Sequence, residues 1–348
     1  MIAKNILLLA AAVLLQSASV QTLTLPKAGV MWGAYMDFGD TEDGVTLEGI
    51  LKFEKLVGGR PAIIASSSYW GEQSFPTKNL ELINRHGAIP IVYWSPWDKP
   101  YQESKGPDRF SLKSIIAGTW DTYIDQWADS AKAFGQPFFV SFCNEMNGDW
   151  FPWSGQFYGG EDGGAEVFKT AWRHVVDRVR ARGATNIVWV FHVNNYPATD
   201  DEWNVMRQYY PGAGYVDWLG LSVYGKQFYA GNWAKFRDLL DWPYREISAL
   251  DPKKPIMLAE FGVGEFPKAG SKAQWIADAF QIIPEYPRLK AAIFWHERWQ
   301  NEDGTYSNLR VNSSAAALAA FRKGIARPEW RGEQRLSPKT AEEACESR

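Results

Sequence analysis

Pro137-Phe138-Phe139-Val140-Ser141-Phe142-Cys143-Asn144-Glu145-Met146-Asn147-Gly148 is the stretch on which the fold turns. A mostly apolar run of strand length, opened by proline and closed by glycine, marks a strand buried on both faces, and a glutamate stands just beyond it. Pro255-Ile256-Met257-Leu258-Ala259-Glu260-Phe261-Gly262 repeats the pattern. Strands covered on both faces belong to a parallel sheet flanked by helices. Each glutamate therefore stands where such a strand leaves the core.

Outward from these two runs, strand patterns fall at 30–35, 61–65, 89–94, 138–143, 187–191, 218–223, 256–259 and 291–295. Helical periodicity fills 47–57, 80–85, 123–134, 167–182, 204–209, 233–250, 274–283 and 315–325. Strand alternating with helix implies α/β architecture, and eight repeats imply closure into a (β/α)8 barrel of one domain. The glutamates then belong to strands four and seven, at the C-terminal ends where such barrels carry their reactive groups. The expected organisation is a signal peptide at 1–19, the barrel at 20–327 and a polar tail at 328–348.

The 348 residues suit a barrel with loop insertions. Hydrophobic content of 46% with 22% charged residues excludes a disordered chain, and a net charge of −3 gives no electrostatic reason to bind nucleic acid or an anionic membrane. The composition is unusual in its 18 Trp, 15 Tyr and 19 Phe. Indole rings stack on the apolar faces of sugars, although bulky core filling accounts for part of this number. Residues 6–15 form an apolar segment too short to span a bilayer, followed by Ser17-Ala18-Ser19, which reads as an export signal cleaved near Val20. The expected location is secreted or periplasmic. Cys143, on a buried strand, and Cys345, in the tail, are not expected to pair.

Two carboxyl groups facing one cleft can break a glycosidic bond. One must be protonated to help the leaving oxygen depart, and the other must be ionised to attack the anomeric carbon. Met146, Trp150 and Trp153 surround Glu145 with apolar groups that favour its neutral form, so it is assigned as the acid; Glu260, at the end of a rigid apolar strand, is assigned as the nucleophile. Glu265, Glu297, Asp149 and Asp37 are expected to be loop charges. His86, His174, His192 and His296 show no His-x-x-x-His spacing, and there is no Gly-x-Ser-x-Gly elbow or phosphate-cradling glycine loop. No metal or cofactor is expected.

The string Asn144-Glu145-Met146-Asn147-Gly148-Asp149-Trp150-Phe151-Pro152-Trp153 resembles the acid/base signature of glycoside hydrolase family 26. The likeness continues through Tyr209-Tyr210-Pro211-Gly212, residues 216–221, Ala259-Glu260-Phe261-Gly262 and Arg310-Val311-Asn312-Ser313-Ser314. It implies a retaining endo-β-glycanase acting as a monomer on a polysaccharide. β-1,4-Mannan is the leading substrate by family frequency; mixed-linkage β-glucan, β-1,3-xylan and an exopolysaccharide are the alternatives, and a non-catalytic polysaccharide-binding barrel is a remote one. It further implies that Tyr224 hydrogen-bonds the nucleophile and that Trp295 stacks on a sugar. Trp94, Trp97, Asn144, Trp150 and His192 complete the expected substrate-binding set. Two departures stand at the sugar-binding face: the family usually has His where this chain has Asn144, and often Trp-Glu-Pro-Trp where this chain has Trp94-Ser95-Pro96-Trp97.

Overall fold

In the computed structural model, Leu23 and residues 28–99 and 106–332 are described. The expected signal peptide and residues 333–348 of the expected tail lie outside the described residues. Eight parallel strands, β1 (Val30–Tyr35), β2 (Ile63–Tyr69), β3 (Ile89–Ser95), β4 (Phe138–Phe142), β5 (Ile187–Asn194), β6 (Trp218–Tyr224), β7 (Ile256–Gly262) and β8 (Leu289–Trp295), pair in chain order. The ring closes between β1 and β8, from Met31 opposite Ala291 to Tyr35 opposite Trp295. This is the expected (β/α)8 barrel.

Helices α1 (Leu47–Val57), α2 (Thr77–Arg85), α3 (Leu112–Ile116), α4 (Asp121–Phe134), α5 (Gly164–Ala181), α6 (Met206–Tyr209), α7 (Phe236–Leu250), α8 (Lys272–Ile282) and α9 (Ala315–Ile325) surround it. Short α3 was not anticipated. Strand β2 runs past its expected end through Ser66, Ser67 and Ser68, which are buried although polar, so an apolar pattern could not find them. Residues 328–332 return to the barrel: Trp330–Arg331 pairs with Val30 and Met31, and the Trp330 indole is buried, donating to the Phe280 carbonyl at 2.8 Å.

Side chains alternate across each strand, so parity sorts them between the barrel interior and the helix-facing layer. Trp94, Phe142, Phe191, Phe261 and Phe294 meet rings of the helical layer, such as Trp127, Trp172, Phe236 and Phe321. Their neighbours of opposite parity, Tyr93, Ser141, His192, Glu260 and Trp295, turn inward. Burial of those outer aromatics is what fixes the inner set in place. Among the described residues, no helix is long and apolar enough to cross a membrane.

Candidate active site

Glu145 lies three residues beyond β4, where the chain must bend back across the barrel mouth. Cys143 and Glu145 both take left-handed backbone angles, with φ of 50° and 54°. Each such angle costs a non-glycine residue roughly 1–3 kcal/mol, so the surroundings must enforce the turn. They do so through hydrogen bonds. The Glu145 N–H donates to the His192 carbonyl at 2.9 Å, and the Gly148 N–H closes the turn onto the Glu145 carbonyl at 2.8 Å. Asn147, fully buried, ties this loop to the end of β5: its Oδ1 accepts from the Asn194 N–H and its Nδ2 donates to the Asn194 carbonyl, each at 2.9 Å. A Cβ on Gly148 would lie 2.6 Å from the Trp150 ring. Only glycine there lets the indole fold back, and Trp150 Nε1 then donates to Glu145 Oε2 at 2.8 Å.

Glu260 lies within β7, beside a bulge. Ser222 pairs with Glu260 while Leu221 pairs with Leu258, so Ala259 is passed over in the ladder. Its carbonyl accepts instead from the buried Tyr93 hydroxyl at 2.7 Å. The bulge re-aims the strand end, and Tyr224 at the end of β6 donates its hydroxyl to Glu260 Oε2 at 2.6 Å. One oxygen of Glu145, one oxygen of Glu260 and one ring nitrogen of His192 lie within 4.8 Å of one another.

Burial pushes the Glu145 carboxyl above the ordinary range, against hydrogen bonds from Ser222 and Trp150 that favour its charged form. Burial, and then the Glu145 charge, push Glu260 well up, with the Tyr224 hydrogen bond opposing. Two carboxyls this close behave as one site holding a single proton over a wide pH range. One is thus ionised while the other carries the proton; burial and charge repulsion alone would leave that proton on Glu260, and the short Tyr224 hydrogen bond is the contact that opposes this by favouring the ionised form there. The same three ligand atoms could in principle hold a metal ion. However, His192 already spends both ring nitrogens, Nδ1 on Ser141 Oγ at 2.9 Å and Nε2 on Ser222 Oγ at 2.7 Å, which leaves two carboxylates to hold one.

The remaining expected residues separate. Trp295 ends β8 inside the mouth, one face stacked on Tyr35 at 4.3 Å and its edge against Tyr93. Asn144 is buried beside Glu145, and its carbonyl accepts from Trp153 Nε1 at 2.6 Å. Trp94 does not face the cleft: it points outward, fully buried, stacked on Trp127 of α4 at 4.0 Å and bonded to the Tyr123 hydroxyl. Trp97 packs edge-on against Phe151 and Trp153, shaping the loop after β4 from beneath. His192, with both nitrogens bonded to serines and no exposed surface, is not available to a sugar hydroxyl.

Glu297 departs from its expected role as a loop charge. It accepts from Trp295 Nε1 at 2.7 Å, and burial together with Glu42 raises its pKa to about 8. Asp37 pairs with Arg310, and Glu265 accepts from the Ser313 hydroxyl. Tyr93, Ser141, Ser222 and Glu42 belong to this neighbourhood and were not anticipated. Strand parity was the available signal for Tyr93 and Ser141, since each precedes an outward aromatic.

A family model described as glycosyl hydrolase family 26 matches residues 111–285. The chain is 30% identical to Endoglucanase H of Acetivibrio thermocellus over 314 residues, 88% of this chain and 31% of that protein. It is 23% identical to a mannan endo-1,4-beta-mannosidase of Bacillus subtilis over 259 residues, 72% of this chain and 61% of that protein. It is 27% identical to the beta-1,3-xylanase TXYA of a Vibrio species over 150 residues, 43% of this chain and 28% of that protein. The chain thus spans under two thirds of the length of each of these relatives. Among solved structures, a beta-mannanase from Bacteroides ovatus superposes with a TM-score of 0.62 at 19% identity, covering 90% of this chain and 94% of that one. An endo-beta-1,4-mannanase double mutant from Cellulomonas fimi gives 0.64 at 19% identity, with 88% and 72% covered. At that identity the likeness is one of fold.

Proposed function

The chain belongs to glycosyl hydrolase family 26, and from that premise we propose that this glycoside hydrolase is a retaining endo-β-glycanase whose catalytic residues are Glu145 and Glu260. The observation that carries the proposal is the approach of one oxygen of each carboxyl to within 4.8 Å. Retention requires carboxyl groups about 5–5.5 Å apart, too close to admit the water that an inverting enzyme places between nucleophile and sugar.

Glu260, ionised and held by Tyr224, attacks the anomeric carbon while Glu145 gives its proton to the departing glycosidic oxygen. The bond to Glu260 forms as the bond to the leaving group breaks, and a glycosyl-enzyme results. Glu145, now a carboxylate stabilised by Trp150 and Ser222, then takes a proton from water, which attacks the same carbon and releases Glu260. Two displacements restore the β configuration. Trp150 therefore acts on the acid/base, and Trp295, at the end of β8, is the ring to which we assign sugar stacking.

β-Glucan is the substrate class we put first. The match to Endoglucanase H runs over most of this chain and is more identical than the mannosidase match, and it supports this order over the one that family frequency alone suggests. β-1,4-Mannan is the second reading, supported by the mannosidase relatives. A polymeric substrate outside the cell fits the export signal proposed for residues 1–19. A reducing-sugar screen over lichenan, cellulose, mannan, glucomannan and β-1,3-xylan tests both readings. Fastest hydrolysis of a glucan is expected, and fastest hydrolysis of mannan reverses the order. Binding of these polymers with no hydrolysis of any would make the barrel a binding module.

A further inference from the structure

Four polar side chains from β4, β5, β6 and the loop after β4 form a line in the barrel interior: Ser141, His192, Ser222 and Glu145. Ser141 Oγ lies 2.9 Å from His192 Nδ1 and His192 Nε2 lies 2.7 Å from Ser222 Oγ; Ser222 in turn is one of the two groups that favour the charged form of the Glu145 carboxyl. All four are buried, Ser141, His192 and Ser222 completely. The Glu145 N–H also donates to the carbonyl of His192, so residue 192 holds the glutamate from the backbone and, through Ser222, from the side chain.

Proton counting orders this line. A neutral imidazole carries one N–H, and each serine carries one O–H. An ionised Glu145 can only accept, so Ser222 must spend its proton on Glu145. Nε2 of His192 must then be the nitrogen that donates to Ser222 Oγ, and Nδ1 must accept from the Ser141 hydroxyl. The opposite polarity would have Ser222 donate to His192 and accept from protonated Glu145. It would take the acid's proton away from the glycosidic oxygen.

We propose that His192 is a positioning residue for the reaction: donating from Nε2 to Ser222 Oγ and accepting at Nδ1 from Ser141, it leaves the Ser222 hydroxyl proton for Glu145 throughout the catalytic cycle. This deepens the reading of Glu145 as acid/base and rests on it. Its consequence is a line whose polarity is unchanged whether Glu145 holds the proton or has given it up. Burial lowers the imidazole pKa to about 3, so no second ring proton enters to reverse the line at working pH. The titratable groups facing Glu145 are Tyr93 on β3, His192 on β5, Tyr224 on β6 and Glu260 on β7. Both tyrosines are held protonated by burial, which leaves Glu260 as the neighbour whose charge varies.

Ser222→Ala and His192→Phe test the proposal through the pH profile of kcat/KM on the best polysaccharide of the screen. A hydrogen bond to a charged carboxylate is worth about 1.5–3 kcal/mol, or about one to two pH units. Each variant should move the basic limb to higher pH by about one unit or more, and the double variant should move it no further than the larger single shift. A structural role alone would lower turnover and leave the limb in place, which overturns the proposal. Should His192→Phe not fold, Ser222→Ala and a measurement on the unmodified protein still decide. With four histidines in the chain, nitrogen-15 NMR of the imidazoles can assign His192. An Nε2–H tautomer that does not titrate between pH 5 and 8 is expected; an Nδ1–H tautomer, or titration in that window, refutes the line's polarity. If no polysaccharide is hydrolysed the enzyme reading fails, whereas the tautomer reading stands or falls on the NMR alone.

Discussion

Removing one hydroxyl, by Tyr224→Phe, isolates the electrostatic support of the proposed nucleophile. The phenol lies 2.6 Å from Glu260 Oε2 and stays protonated, because burial and the Glu260 charge raise its own pKa well above the ordinary value. It therefore donates to Glu260 in every state of the enzyme. A hydrogen bond to an ionised group contributes about 1.5–3 kcal/mol, and 1.36 kcal/mol corresponds to one pKa unit, so its loss should raise the pKa of Glu260 by about one to two units. The sign follows from which form gains: the donor stabilises the carboxylate, and without it protonation is favoured. The acidic limb of kcat/KM, which reports the free enzyme, should move to higher pH by that amount. At a pH below both limbs, kcat/KM should fall about 10- to 100-fold relative to wild type, with a smaller change on the plateau. Initial rates well below KM, taken across the acid and neutral range, provide the assay. An acidic limb that stays in place would refute the link between Tyr224 and the nucleophile.

Other perturbations probe the groups around this pair. Glu297→Gln should flatten the loss of stability as pH rises from about 4.5 to about 8. The native pKa of about 8 exceeds the unfolded value near 4.5, so ionising Glu297 destabilises the fold by up to about 1.4 kcal/mol per pH unit as pH rises through that window. Urea unfolding at pH 5 and pH 9 should show wild type and variant diverging only at pH 9, and parallel behaviour would refute the raised pKa of this carboxyl. Trp295→Ala removes a ring stacked on Tyr35 and should cost about 3–5 kcal/mol of stability while raising KM and leaving the acidic limb unmoved; a stability loss under about 1 kcal/mol would contradict the packing. Glu145→Ala should be partly rescued on substrates with activated leaving groups, which need no proton from the enzyme, and absence of relief at the glycosylation step would remove Glu145 from the role of acid.

The barrel was legible because its strands are buried on both faces and leave continuous apolar runs. The same rule hid the extension of β2 through Ser66, Ser67 and Ser68, where interior polar residues interrupt the pattern. Glu145, Glu260 and Tyr224 could be placed from the ends of strands and from a long motif. Trp94 could not be separated from Trp97 and Trp295 by residue type, yet parity would have done so: the inward Tyr93 forces Trp94 against α4. His192 looked like a sugar ligand because a histidine at a strand end is polar and inward. That serines on both neighbouring strands satisfy it depends on register across β4, β5 and β6, which no single segment encodes. Glu297 shows the converse, a residue in sequence like any loop carboxylate, half-buried in the structure with the Trp295 indole N–H alongside it.

The central claim is that Glu145 and Glu260 form a retaining pair. Proton NMR of the first-formed product, recorded before mutarotation on whichever β-linked polysaccharide proves to be the substrate, tests it most directly. The account predicts that the β-anomer appears first and the α-anomer grows in only as the product equilibrates; an α-anomer at the outset would mean single displacement by water, and would contradict the role given to Glu260.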